Sequence, residues 1–256
     1  MIAPRACVTV TVNNGIAWLT LQRPEVLNVL DRPTVRELAA FATELRQRSD
    51  VRVVVTRGAG RAFCAGSDLG DIGDLAPAEA SAAEREHADA GSLLADLPQL
   101  TLAVLHGYAL GGGLGLALYH DFRIAAQSTT IGLPEVELGW TPPWALGRLV
   151  DVVGPTHARW LTLSGSRIDG SEAYRMGLVN DVISDDKLED QVNLFARRLA
   201  DLPPIAVRET KSLLNRMSPL RDPAWDLLAA DAFERCFATP EARANVRAFL
   251  SRRKST

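Results

Sequence analysis

From Leu97 to His120 the chain carries no Asp, Glu, Lys or Arg, yet five glycines interrupt it: Gly107, Gly111, Gly112, Gly113 and Gly115. An uncharged stretch of this length belongs either in a bilayer or in the interior of a domain. Pro98, Gln99, His106 and the glycines break it too often for a membrane helix. Its halves also differ: "TLAVLHG" reads as a buried strand and "GLGLALYH" as a short helix. Between them stands a glycine triplet. Glycine disfavours helix interiors by roughly 1 kcal/mol relative to alanine, so the triplet marks unusual dihedrals or a backbone that something approaches closely. A buried strand, a glycine turn and a buried helix are the parts of an α/β fold.

The flanking sequence repeats that grammar. "VTVTV" and "IAWLTL" alternate about Asn13-Asn14-Gly15, which predicts a β-hairpin over 8–21. "DRPTVRELAAFATELRQR" predicts a helix with Pro33 near its start. Then come a strand ("VRVVVTRG"), a helix ("PAEASAAEREHADAGSLLADL"), the uncharged stretch and a strand ("DFRIAA"). This alternation up to about residue 135 predicts parallel strands. From about Pro143 the pattern is mostly helical, with one strand-like run, "GLVNDVI". After the Pro203-Pro204 break come three amphipathic helices, roughly 205–217, 223–238 and 240–253.

A net charge of −3, with no basic run before the short tail Arg252-Arg253-Lys254, gives no reason to expect nucleic acid as a partner. "MIAPRACVTV" lacks the apolar core of a signal peptide, and a soluble, cytoplasmic protein without membrane partners is expected. Cys7, Cys64 and Cys236 form no CxxC pair, which suits a reducing compartment. Cys64 reads as a small buried hydrophobe rather than a nucleophile. The histidines lack metal-ligand spacing, so no metal is expected, and a dinucleotide motif beginning at Gly111 fails because Leu116 stands where glycine is needed.

Two glycine loops remain, "GRAFCAGSDL" and "GYALGGGLG", each following a predicted buried strand. Adjacent parallel strands bring such loops to one sheet edge, where ligands bind. Two backbone N–H groups converging there make an oxyanion hole, worth about 3–4 kcal/mol per donor. Tight turns explain the glycines equally well on these grounds alone. A third segment, "STTIGLPEVELGWTPPWALGRL", carries Glu135 after Pro134 among apolar neighbours. A carboxyl group there suits proton transfer near neutrality, or serves simply as a helix-start residue.

Taken together, "LTLQRPEVLNVLD", "GRAFCAGSDLGDI", "LHGYALGGGLGLAL", "DFRIAA", "IGLPEVELGW", "SGSRIDGSEAYRMGLVNDVI", "PPIAVRETKSLLN" and "TPEARANVRAFLSRRK" resemble, in that order, the crotonase superfamily, the enoyl-CoA hydratase/isomerase family. The likeness runs from about Val8 to Lys254. It implies an α/β fold with a crotonase-like ββα spiral core over residues 1–200 and a C-terminal helical trimerisation region over 201–256. It also implies a homotrimer or a homohexamer of paired trimers, and an acyl-CoA substrate. Coenzyme A then enters as part of that substrate, and no cofactor is bound permanently. The amides of Ser67 and Gly112 take the place of the family's oxyanion hole and Glu135 that of a proton-transfer carboxylate. Glu25, Val26 and Leu27, with Ala65, Ser67, Asp68 and Leu69, match the path of CoA. Phe249 and Arg252 match positions that touch CoA from a neighbouring subunit. Trp140, with Trp144, reads as a flat wall for an acyl group or as ordinary packing.

The chain departs from the family's hydratases at one place. They carry a glutamate in the helix after the glycine triplet as well as one in the "PE" segment, and Gly115 occupies the first position here. One glutamate resembles the isomerases better, where a single carboxylate moves a proton between two carbons. Glu137 is a possible second acid, sharing a face with Glu135 in an extended segment but diverging by about 200° in a helix. A catalytically weak or inactive acyl-CoA-binding scaffold, and a decarboxylase or hydrolase of the family, are the alternatives.

Overall fold

The structure is a computed structural model that describes residues 6–253. Lys254 of the basic tail therefore lies outside the described residues. Asn14 and Gly15, both with positive φ (51° and 75°), make the two-residue turn whose twist suits a hairpin. It joins β1 (Val8–Asn13) to β2 (Ile16–Leu21), with Val8 opposite Leu21. Helix α1 (Arg32–Arg46) starts at Asp31, whose carboxylate accepts the Thr34 N–H at 2.9 Å and so satisfies one open helix donor. The chain continues through β3 (Val53–Gly58), the single turn α2 (Leu69–Ile72) and α3 (Pro77–Ala95). The uncharged stretch supplies β4 (Leu100–Leu105), β5 (Tyr108–Leu110) and α4 (Gly112–Leu118). Strands β6 (Phe122–Ala126) and β7 (Thr130–Gly132) follow, then a 3-10 turn (Glu135–Leu138) and α5 (Leu146–Leu163), which breaks at Gly154 before Pro155.

Strand β8 (Arg167–Ile168), α6 (Gly170–Arg175), β9 (Asp181–Ile183) and α7 (Leu188–Ala200) complete the α/β part. The six-stranded sheet has the order β1-β2-β3-β4-β6-β9, antiparallel only at β1/β2, in agreement with the alternating strands and helices of the sequence. A second sheet, β5-β7-β8, departs from that expectation. Its strands are three residues or fewer, too short for an alternating pattern to show. Two turns of the spiral lay a strand in the large sheet and then a short one in the small sheet: β4 leads to β5, and β6 to β7.

One face of the large sheet is covered by α1, α3, α4 and α5, through residues such as Leu19, Leu38, Leu94, Leu116 and Leu149. On the other face α7 sets Val192, Ala196 and Leu199 on Val53, Val55 and Leu102. Burial on both sides explains why β3 and β4 read as continuous apolar runs. The three C-terminal helices are α8 (Pro204–Met217), α9 (Ala224–Phe237) and α10 (Pro240–Arg253). Lys211 pins α8 by donating to Asp121 at 2.7 Å and to the Gln99 carbonyl at 2.8 Å. Trp140 packs edge-on against Phe233 and Phe237 of α9, and Arg243 of α10 donates to the carbonyls of Gly73 and Leu75. These contacts fold α10 back onto its own chain.

Candidate active site

Strands β3 and β4 are parallel neighbours, so the loops that leave them emerge at one edge of the sheet. In the first loop, the Gly66 carbonyl and the Asp68 N–H are both bonded to Leu30, at 2.8 and 2.9 Å. Extended backbone alternates, so the Ser67 N–H points to the opposite side. In the second loop Gly112 is the first residue of α4, and its N–H has no partner within the helix. The loops touch: a Cβ on Gly112 would lie 3.3 Å from Ser67 N, and one on Gly66 would lie 3.5 Å from Gly112 N.

The triplet serves three ends. Gly111 turns the chain at φ 53°, ψ −128°, a conformation that glycine alone adopts readily. Gly113 presses on the first loop so closely that a Cβ would meet the Cys64 carbonyl oxygen at 2.1 Å. Gly112, held between them, presents its amide beside that of Ser67. Cys64 itself is fully buried and burial pushes its thiol up to about 12, as suits an inert core residue.

Glu135 opens the 3-10 turn after Pro134 and is 7% exposed. Its Oε1 lies against Gly111, and its Oε2 is buried with no hydrogen-bond partner among the described residues. Burial pushes this carboxyl group up to about 8, with a smaller push from the Glu84 carboxylate; its own backbone N–H works in the opposite direction. Glu137 lines the same cavity as Glu135 but is held by a cation. Arg167 grips it with two hydrogen bonds, at 2.9 and 2.7 Å, and holds its carboxyl group below the usual range. The 3-10 turn thus leaves Glu135 buried without a cation among the described residues, while Glu137 is a fixed anion paired with Arg167.

At Gly115 the structure shows why a side chain is missing. A Cβ there would stand 2.7 Å from Cζ3 and 2.9 Å from Cη2 of Trp144. The indole is wedged between His87 and Tyr119, with centroids 6.0 and 5.9 Å away. The next residue, Ala145, has φ 63° and donates its N–H to Asp226, which also accepts the Tyr119 hydroxyl. Trp144 is therefore a fixed plug under α4 rather than a wall of the pocket. Its Nε1–H donates at 2.8 Å to Glu84 of α3, a carboxylate only 2% exposed.

These groups surround one cavity of about 480 Å³. Glu25, Val26, Leu27, Ala65, Ser67, Leu69, Gly112, Glu135, Trp140 and Phe249 of the sequence-derived set all line it. Two of that set do not. Asp68 turns away to Arg23 at 3.2 Å and caps α2 by accepting the Gly70 N–H, so it braces the loop. Arg252 is exposed on α10, outside the cavity lining. Phe249 lines the cavity of its own chain because α10 folds back, without requiring a neighbouring subunit. Glu84, Arg61 and Arg167 line it too and were absent from the sequence reading. The signal for Glu84 lay in α3, where Ala80, Glu84, His87 and Gly91 repeat at helical spacing and put an acid on the buried face.

Comparison with known proteins identifies the family to which this fold belongs. A family model described as enoyl-CoA hydratase/isomerase matches residues 11–256. The chain is 35% identical to a crotonyl-CoA hydratase of Syntrophomonas wolfei subsp. wolfei over 247 residues, 94% of this chain and 93% of that one. It is 37% identical to a probable enoyl-CoA hydratase, EchA17, of Mycobacterium tuberculosis over 199 residues, 77% of this chain and 76% of that one. An enoyl-CoA hydratase structure from Mycobacterium avium subsp. paratuberculosis K-10 superposes with a TM-score of 0.86 at 27% identity, covering 96% of this chain and all of that one. DspI of Pseudomonas aeruginosa superposes with a TM-score of 0.80 at 29% identity over 98% of each chain. The chain belongs to the enoyl-CoA hydratase/isomerase family, within the crotonase superfamily, and is an acyl-CoA enzyme of that fold.

Proposed function

We propose that the protein moves a proton at the carbon next to a CoA thioester. The amides of Ser67 and Gly112 hold the oxygen of the enolate, and Glu135 takes and returns the proton. The observation that carries this reading is the Oε2 of Glu135, without a hydrogen-bond partner among the described residues and buried in a cavity beside those amides. A carboxyl group kept only for structure would be paired, because a buried polar atom without a partner is costly. That argues against an inactive scaffold. Helix α4 offers no carboxylate to activate water, since Trp144 fills the space at Gly115. A shift of a double bond between two carbons, with Glu135 as the single shuttle, is therefore the reaction that Glu135 and the two amides carry out by themselves, in preference to decarboxylation or hydrolysis. Glu25, Val26, Leu27, Ala65, Leu69 and Phe249 form the CoA path in this reading.

The test is exchange of the C2 protons of butyryl-CoA with deuterium from solvent, followed by mass spectrometry. Proton removal needs Glu135 ionised, and burial pushes its pKa up to about 8. Exchange at subsaturating substrate should therefore climb about tenfold per pH unit between 6 and 7.5 and level off above about 8. A profile that is flat from pH 5 to 9 would remove Glu135 from the role of base.

A homotrimer or a dimer of trimers completes the proposal. Helix α8 exposes Ile205, Leu213, Leu214 and Met217, and α9 exposes Leu227 and Leu228. Light scattering should give three or six times the chain mass of 27.7 kDa. A monomer at micromolar concentration would leave those apolar residues without the partner assigned to them.

A further inference from the structure

We propose that Glu84 is a second catalytic carboxylate of this cavity, the group that holds and deprotonates water, in an inference that rests on the enolate reading above. Three independent observations meet at this residue. Glu84 lines the same cavity as Glu135, yet only 2% of it is exposed. No cation pairs with it among the described residues, and the Trp144 Nε1–H fixes its Oε2 at 2.8 Å. An indole N–H is a donor only, so Trp144 orients this oxygen as an acceptor and leaves the rest of the carboxylate for another donor. Finally, the ring that orients Glu84 is the ring that occupies the space at Gly115. The second acid of this cavity thus stands on α3 rather than α4, and the indole that fills the space at Gly115 positions it. Glu135 Oε2, buried without a hydrogen-bond partner among the described residues, lies in the same cavity.

The addition of water to a 2-enoyl thioester balances with these two acids. The water oxygen forms a bond to C3 while one of its O–H bonds breaks, and that proton passes to the Glu84 carboxylate. The π pair of C2=C3 moves onto the thioester, whose oxygen the amides of Ser67 and Gly112 hold. C2 then takes the proton of the Glu135 carboxylic acid. Glu84 ends protonated and Glu135 ionised, and exchange of one proton through solvent restores both. The site then adds water as well as shifting a double bond.

The experiment uses Glu84→Gln, which keeps the volume and an oxygen acceptor for Trp144 but cannot take a proton. Hydration of crotonyl-CoA, followed by loss of the conjugated thioester absorbance, should fall by about 10²–10⁴-fold. Deuterium exchange at C2 of butyryl-CoA, which needs only Glu135 and the amides, should fall far less. Should Glu84→Gln not fold, Trp144→Phe, which removes the orienting N–H, is put through both assays and should show the same split. Hydration by Glu84→Gln at the wild-type rate would overturn the assignment. So would a wild type that exchanges C2 protons but adds no water. A wild type that exchanges nothing at C2 overturns the enolate reading itself, and this assignment with it.

Discussion

Glu135→Gln should lose about 10²–10⁴-fold of kcat, in C2 exchange and in any net reaction of a CoA ester, while still binding the ester. The amide keeps the size of the carboxyl group and its contact with Gly111, so the loops and the 3-10 turn stay in place. What is lost is the ability to hold a proton. The cause of the raised pKa makes the effect large: burial comes first, so the group is tuned by a dry setting that the amide leaves intact. Glu137→Gln is the natural comparison. It breaks an exposed bidentate pair with Arg167, of a kind worth about 0–1 kcal/mol, and should leave kcat within a few-fold of the wild type. Full activity in Glu135→Gln, on a substrate that the wild type turns over, would sink the mechanism.

Much of this site was legible before any coordinates, for identifiable reasons. The loops at Ser67 and Gly112 follow long strands whose apolar runs are unmistakable, and glycine where helix is expected points to backbone chemistry. Glu135 was visible because a proline and apolar neighbours set it apart. Other features depend on contacts between segments distant in sequence. Glu84 and Trp144 lie 60 residues apart, and nothing local to either announces their hydrogen bond. The return of Phe249 to its own cavity depends on Arg243 reaching carbonyls near residue 75, a separation of about 170 positions. Asp68 misled because its motif lines a cavity while its side chain, in an extended N-cap conformation, faces the other way. The small sheet escaped notice because strands of two or three residues carry no period.

Gly115 yields the second large effect, and its sign depends on Trp144. Putting glutamate at 115 restores the family's paired arrangement on paper and should instead damage the protein. The new Cβ would meet the indole ring at 2.7 and 2.9 Å, closer than real Cβ atoms approach, and the ring is boxed in by His87 and Tyr119. Overpacking of this sort costs about 1–3 kcal/mol, and a further buried carboxylate near Glu84 and Glu135 adds to it. A chain of this size should lose roughly 5–10 °C in Tm, with no gain in hydration of crotonyl-CoA. Removing the plug reverses the expectation. Trp144→Ala combined with Gly115→Glu opens the space that the new side chain needs, and the double variant should hydrate faster than Trp144→Ala alone. The two substitutions are in contact, so their effects should not add, and the deviation is itself the measurement. A Gly115→Glu variant that melts with the wild type and hydrates faster would show that Trp144 yields, and that the indole does not decide which element supplies the second acid.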